Sequence, residues 1–81
     1  MDIKEIRSQK VLDTRGLHYP MQLLKMRTAL RTMAPGDILE IWDTDPHSQK
    51  EIPESGNSGR NEFIGNISDP EGYVRYYVRK G

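Results

Sequence analysis

The chain has no cysteine among its 81 residues. This excludes disulfide staples, thiol nucleophiles and thiolate metal sites. Histidine is scarce too: His18 and His47 are the only two, and they lie far apart in sequence. A metal site without cysteine needs more ligands than that, so no metal is expected, and the composition calls for no cofactor. No serine stands beside a histidine and a carboxylate in a nucleophile arrangement. Gly56 and Gly59 do not follow a strand, so they make no phosphate loop. No apolar run approaches the ~20 residues of a membrane span, and no basic-then-apolar leader opens the chain, so a soluble cytoplasmic protein is expected. Repeats and low-complexity tracts are lacking. Residues 1–81 read as one small domain with a modest core.

Acidic residues are missing from one long stretch. Between Thr14 and Gly36 there is none, whereas Arg15, Lys25, Arg27 and Arg31 all fall there. Residues 1–34 carry seven Lys/Arg against three Asp/Glu, and residues 35–81 carry five against nine. The net charge is zero, but its distribution is uneven. The cationic stretch reads either as a solvated helix face or as a docking surface for an acidic partner or a nucleic-acid backbone.

What is present orders itself around residues 12–25. Ile3 and Ile6 either extend a first strand or stay loose, and Gln9 to Asp13 reads as that strand. Thr14 to Tyr19 is a loop in which Gly16 supplies an unusual backbone angle. Asp13 and Arg15 flank it, read either as a local salt bridge or turn cap or as electrostatic tuning of position 19. Pro20 opens a helix, because its missing N–H has no partner in a first turn anyway. Tyr19 then sits where helix N–H groups converge, a place that favours anions. The helix runs from Pro20 to Ala34, with Leu23, Met26, Leu30 and Met33 as its apolar stripe. Lys25, Thr28 and Thr32 lie opposite, and Pro35-Gly36 stops it.

Asp37 to Asp43 is a strand, with Leu39 and Ile41 on one face and Ile38, Glu40 and Trp42 on the other. Thr44-Asp45-Pro46 supplies an N-cap and a first-turn proline. The next helix is expected to be short, around 46–52, and then to give way to a loop. Pro53, Gly56 and Gly59 follow, and each glycine costs ~1 kcal/mol relative to alanine. Ser55–Arg60 is expected to be the most mobile internal stretch. Asn61 to Ile67 is a third strand, 68–72 a turn, and Tyr73 to Arg79 a fourth strand. Its alternation sets Val74, Tyr76 and Val78 against Tyr73, Arg75, Tyr77 and Arg79. The order strand-helix-strand-helix-strand-strand predicts an α/β (α+β) two-layer sandwich with both helices on one sheet face.

The run Leu12-Asp13-Thr14-Arg15-Gly16-Leu17-His18-Tyr19-Pro20-Met21-Gln22-Leu23-Leu24-Lys25 resembles the signature of the TusA (SirA-like) sulfur-carrier family, roughly L-D-x-R-G-L-x-C-P-x-P-L-L-K. The likeness continues through Arg27, Ala29, Leu30, Pro35-Gly36-Asp37, Leu39-Glu40-Ile41, Thr44-Asp45-Pro46 and Glu51-Ile52-Pro53. It implies a compact sandwich with a four-stranded mixed sheet. It also implies a chemistry in which the signature cysteine accepts a persulfide from a cysteine desulfurase and passes the sulfur to a partner. Two positions depart from the pattern. Tyr19 stands at the cysteine, and Gln22 stands at the second proline, where the restored N–H predicts a less rigid loop. A phenol has a pKa of ~10 and its oxygen carries no transferable sulfur.

The candidate binding residues are therefore Asp13, Arg15, Tyr19, Pro20, Gln22, Arg27 and Arg31 around the first helix, and Trp42, Tyr73 and Tyr77 on the sheet face away from the helices. They are expected to form two separable surfaces. Trp, Tyr and Arg are enriched in binding hot spots, although exposed tyrosines also stack across strands for stability. The expected role is docking of a protein partner, such as a sulfur-relay or redox protein, without enzymatic activity. The alternative is nucleic-acid binding through the basic helix and the aromatic sheet face, against which overall neutrality speaks.

Overall fold

Alternating apolar residues make strands and three-and-four spacing makes helices, and six elements result. A computed structural model describes residues 6–81; Ile3 lies outside the described residues, and Ile6 precedes the first strand without joining it. The elements are β1 (Lys10–Asp13), α1 (Met21–Arg31), β2 (Ile38–Asp43), α2 (Ser48–Gly56), β3 (Glu62–Ser68) and β4 (Val74–Arg79). The sheet order is β1-β2-β4-β3. Strand β1 runs parallel to β2, and β4 is antiparallel to both of its neighbours. The sheet is therefore mixed. The connection β2-α2-β3 skips one position, and β4 returns into the gap, a split βαβ arrangement.

One core holds the layers together. Leu23, Met26, Ala29 and Leu30 of α1 and Ile52 of α2 meet Leu39, Ile41, Tyr76 and Val78 of the sheet, all buried. Each large side chain buried in this way contributes roughly 1.5–3 kcal/mol. Leu39, Ile41, Tyr76 and Val78 face the helices as their alternation predicts, and Val74 packs partly against the same cluster. The α1 stripe also packs as its spacing predicts, with Met33 at its margin.

Both helices end elsewhere than expected, and β3 ends one residue later, at Ser68. Helix α1 stops at Arg31, three residues before Ala34, and Thr32 closes it with its N–H on the Ala29 and Leu30 carbonyls. Helix α2 continues through Pro53 to Gly56 instead of ending near residue 52. Packing overrides propensity there. Ile52 is fully buried, and Gly56 lies against β4, where a Cβ would sit 3.0 Å from Val78 Cγ2. The glycine that weakens α2 as a free helix is what lets it approach the sheet.

Candidate functional site

The loops that leave the C-terminal ends of the parallel strands β1 and β2 meet at one end of the molecule. The Thr14 side chain is fully buried. Its hydroxyl lies 2.7 Å from both the Trp42 carbonyl and Asp43 Oδ2 and can donate to one at a time. Gly16, at φ +85°, uses the left-handed angle open to glycine and donates its N–H to Thr44 Oγ1 at 3.1 Å. The β1–α1 loop is thus fastened to the β2–α2 loop.

Asp45 is the hub of this junction, a role beyond the helix cap that its sequence position predicts. Its Oδ2 accepts the Tyr19 N–H and the Gln22 Nε2–H, each at 3.0 Å. Its Oδ1 accepts the His47 N–H at 3.0 Å and lies 2.8 Å from His47 Nδ1. The bonds from His47, backbone first, with those from Tyr19 and Gln22, hold the Asp45 carboxyl well below the usual carboxylate range. The capping role is partly as expected: the residue at the N-cap position of α2 is His47, and Asp45 serves that turn from two residues upstream.

This arrangement alters the expectation for position 19. Pro20 occupies the N-cap position, and α1 begins at Met21. Three of the first four N–H groups have partners: Met21 donates to the His18 carbonyl, and Leu23 and Leu24 donate to that of Pro20. The Tyr19 N–H is taken by Asp45. A protein carboxylate thus already holds the N–H that precedes the helix. The Tyr19 side chain projects outward, 52% exposed.

Gln22 is fully buried. Its amide nitrogen bonds Ser48 Oγ at 2.9 Å as well as Asp45, and so ties α1 to the start of α2. The residue expected to loosen the loop is a cross-link within it. A signal for this was available: Gln22 lies four residues before Met26, on the apolar stripe, where a polar side chain must find partners. Asp45 gave less warning, since its partners Tyr19 and Gln22 are more than twenty residues away in sequence.

Asp13 and Arg15 form the local pair. The Arg15 N–H and Nε–H donate to Asp13 Oδ1 at 3.0 and 2.9 Å, and Nη2 donates to Oδ2 at 2.8 Å. The Arg15 hydrogen bonds lower the Asp13 pKa. Held there, the guanidinium stacks 5.0 Å from the Trp42 ring centre and 4.8 Å from that of Tyr73. Arg15 therefore belongs with the sheet-face residues and not with the helix entrance, so the expected division into two surfaces falls differently.

The sheet face itself is more closed than its alternation suggests. Trp42 and Tyr73 pack with ring centres 5.2 Å apart. Tyr73 and Tyr77 point away from the helices as expected, yet they are only 6% and 4% exposed. Burial pushes the Tyr77 phenol up. Arg75 lies 6.0 Å from the Tyr73 ring centre and pairs with Asp69 in the β3–β4 turn. Trp42 Nε1 donates to Glu40 Oε2 at 2.5 Å. Long side chains thus roof the aromatic rings, a use of arginine stems and planes that alternation cannot show.

Arg27 and Arg31 lie exposed on α1. Arg27 and Tyr19 line a cleft of about 310 Å³ between the helices, whose other wall includes Glu51 and Glu54. Arg27 and Arg31 meet Lys80 and Ser58 around a second cleft of about 150 Å³. The end of α1 near Tyr19 is thus of mixed charge, and the cationic character is concentrated further along the helix. The site contains an outward phenol, a buried polar network and exposed arginines, an arrangement suited to recognition.

The family model for sulfurtransferase TusA matches residues 10–80. The chain is 32% identical over 71 residues to the putative sulfur carrier protein YrkF of Bacillus subtilis, covering 88% of this chain but only 38% of that protein. It is 28% identical over 76 residues to YrkI of the same organism, covering 94% of this chain and 100% of YrkI. To the sulfur carrier protein TusA of Pseudomonas putida strain W619 it is 30% identical over 70 residues, 86% of each. Among solved structures, a SirA-like protein from Desulfitobacterium hafniense superposes with a TM-score of 0.78 at 12% identity, over 89% of this chain and 97% of that one; this likeness concerns the fold.

Proposed function

We propose, from the premise that this chain belongs to the TusA sulfur-carrier family, that it is a docking module that binds sulfur-relay or redox proteins and carries no sulfur itself. The observation that carries this reading is Tyr19: a half-exposed phenol stands before Pro20 at the entrance of α1, in a chain without cysteine. Persulfide transfer needs a sulfur nucleophile on the acceptor, and a phenol oxygen cannot hold sulfane sulfur. The scaffold around the position is nonetheless built, with Thr14, Gln22 and Asp45 fastening both loops. A large amphipathic side chain on such a support makes contact area at low entropic cost. The binding residues in this reading are Tyr19, Arg27 and Arg31, with Pro20, Gln22, Asp13 and Arg15 positioning and Trp42 at a second contact. Tyr73 supports Trp42 through ring packing, and Tyr77 is buried. The protein works as a single domain, without catalysis, in the cytoplasm. Among the described residues no helix is long and apolar enough to cross a membrane.

The test is binding without loading. A cysteine desulfurase from the same organism, immobilised, is expected to bind the chain, and Arg27→Glu with Arg31→Glu is expected to slow association and weaken its salt dependence. A protein that neither binds the desulfurase nor changes with these reversals contradicts the reading. The nucleic-acid alternative has less support, because Tyr73 and Tyr77 are too buried to stack bases. Salt-sensitive RNA binding would revive it.

A further inference from the structure

Arg15, Arg75 and Arg79 each meet a carboxylate, those of Asp13, Asp69 and Glu62. Arg27 and Arg31 do not: among the described residues neither forms an ion pair. They stand four residues apart on α1, one above the other on the same helix face, and like charges in that spacing repel. Lys80, just past the end of β4, adds a third positive charge and likewise forms no ion pair among the described residues.

These three side chains line one cleft, of about 150 Å³, beside the buried Leu30. No acidic residue lines it. The acids nearby are engaged elsewhere. Glu51 and Glu54 line the adjoining cleft that shares Arg27, and the Asp37 carboxylate accepts the Ala34 N–H at 3.1 Å. The neutral lining adds donors. Asn61 Oδ1 accepts the Gly81 N–H at 2.9 Å, which leaves the Asn61 amide nitrogen available to donate. Ser58 brings a hydroxyl to the same wall, and Ser55 Oγ holds only a long contact, 3.5 Å, from Arg27 Nη2.

We propose that this cleft binds a small, doubly charged oxyanion of the phosphate type, held by Arg27, Arg31 and Lys80, with Ser58 and Asn61 donating beside them. Charge selects the ligand class: three cations without a counter-charge are balanced better by a dianion than by a single carboxylate. Shape selects it too, since guanidinium forks bind such oxyanions through paired N–H groups. Size sets the upper bound. The cleft is smaller than the ~300–1,000 Å³ pockets that enclose drug-sized ligands, so it admits the ion itself or one phosphoryl group. Arg27 and Arg31 are shared with the docking surface, but the anion site rests on the cleft alone and not on the role proposed for that surface.

The experiment titrates the full-length protein and follows its backbone amide NMR shifts. One arm uses inorganic phosphate and another glycerol 3-phosphate, with ionic strength held constant by sodium chloride. Saturable, one-site shifts are expected at Leu30, Ser58, Asn61 and Lys80. Affinity should fall at least tenfold with Arg31→Gln and with Lys80→Gln, and stay within twofold with Lys25→Gln. Tighter binding of the ester assigns the site to a phosphoryl group on a small molecule; equal or tighter binding of the free ion assigns it to inorganic phosphate. Shifts that do not saturate, or that chloride alone reproduces, overturn the proposal, as does saturable binding that Arg31→Gln leaves unchanged. Circular dichroism identifies variants that fail to fold. If either does, Arg27→Gln replaces it.

Discussion

At residue scale, the molecule's particular features are polar side chains on an apolar scaffold. Gln22 is buried on the stripe of α1 and bonds both Asp45 and Ser48. Replacing it with alanine leaves those partners unmatched beneath the loop, and is expected to cost about 1–3 kcal/mol in chemical denaturation. An unchanged midpoint would show that water substitutes without loss. Asp45 has its pKa lowered on folding. Its contribution is thus present above the unfolded carboxylate pKa of ~3.9 and is lost as pH falls through the folded value. Acid unfolding of the parent is expected below about pH 4, and Asp45→Asn should flatten that dependence. An identical acid limb in the variant would assign the effect to Asp13 or Asp69. Arg15 roofs Trp42 and Tyr73. Arg15→Ala should shift tryptophan emission to the red, because the guanidinium no longer covers the ring.

At the scale of elements, the sequence is most legible where pattern and packing agree. The stripe Leu23–Met26–Leu30 and the pair Leu39–Ile41 announce α1 and β2, and their burial follows. Strand β4 is legible in its facing and illegible in its exposure. Alternation places Tyr73 and Tyr77 away from the helices, but no periodicity reveals that Arg15, Trp42 and Arg75 gather over that face. Helix α2 is the element local propensity misjudges, because its glycine acts through a contact with Val78 far along the chain. Since α2 depends on packing, Ile52→Ala is expected to cost about 2–5 kcal/mol and to remove helical signal in circular dichroism. Retention of full helicity would mean that α2 is stable without its anchor. Amide exchange should follow the same boundary, with Ser55 and Gly56 protected and residues 57–60 fast.

At the scale of the whole molecule, the TusA-type fold is retained while the position of its chemistry is changed. The fold and the family were readable because the signature run, the turns and the alternating strands are spread over nearly the entire chain. The junction around Asp45 was less readable, since it joins loops that only the sheet order brings together. Nothing in that junction supplies a replacement sulfur atom. The decisive property is therefore whether the intact protein takes up sulfur. The direct measurement is mass spectrometry of the chain after incubation with a cysteine desulfurase and labelled cysteine, run beside Tyr19→Cys. No mass increase is expected for the parent, and uptake is expected for the variant if docking geometry is preserved. A stable added sulfur on the parent chain would contradict the loss of sulfur transfer.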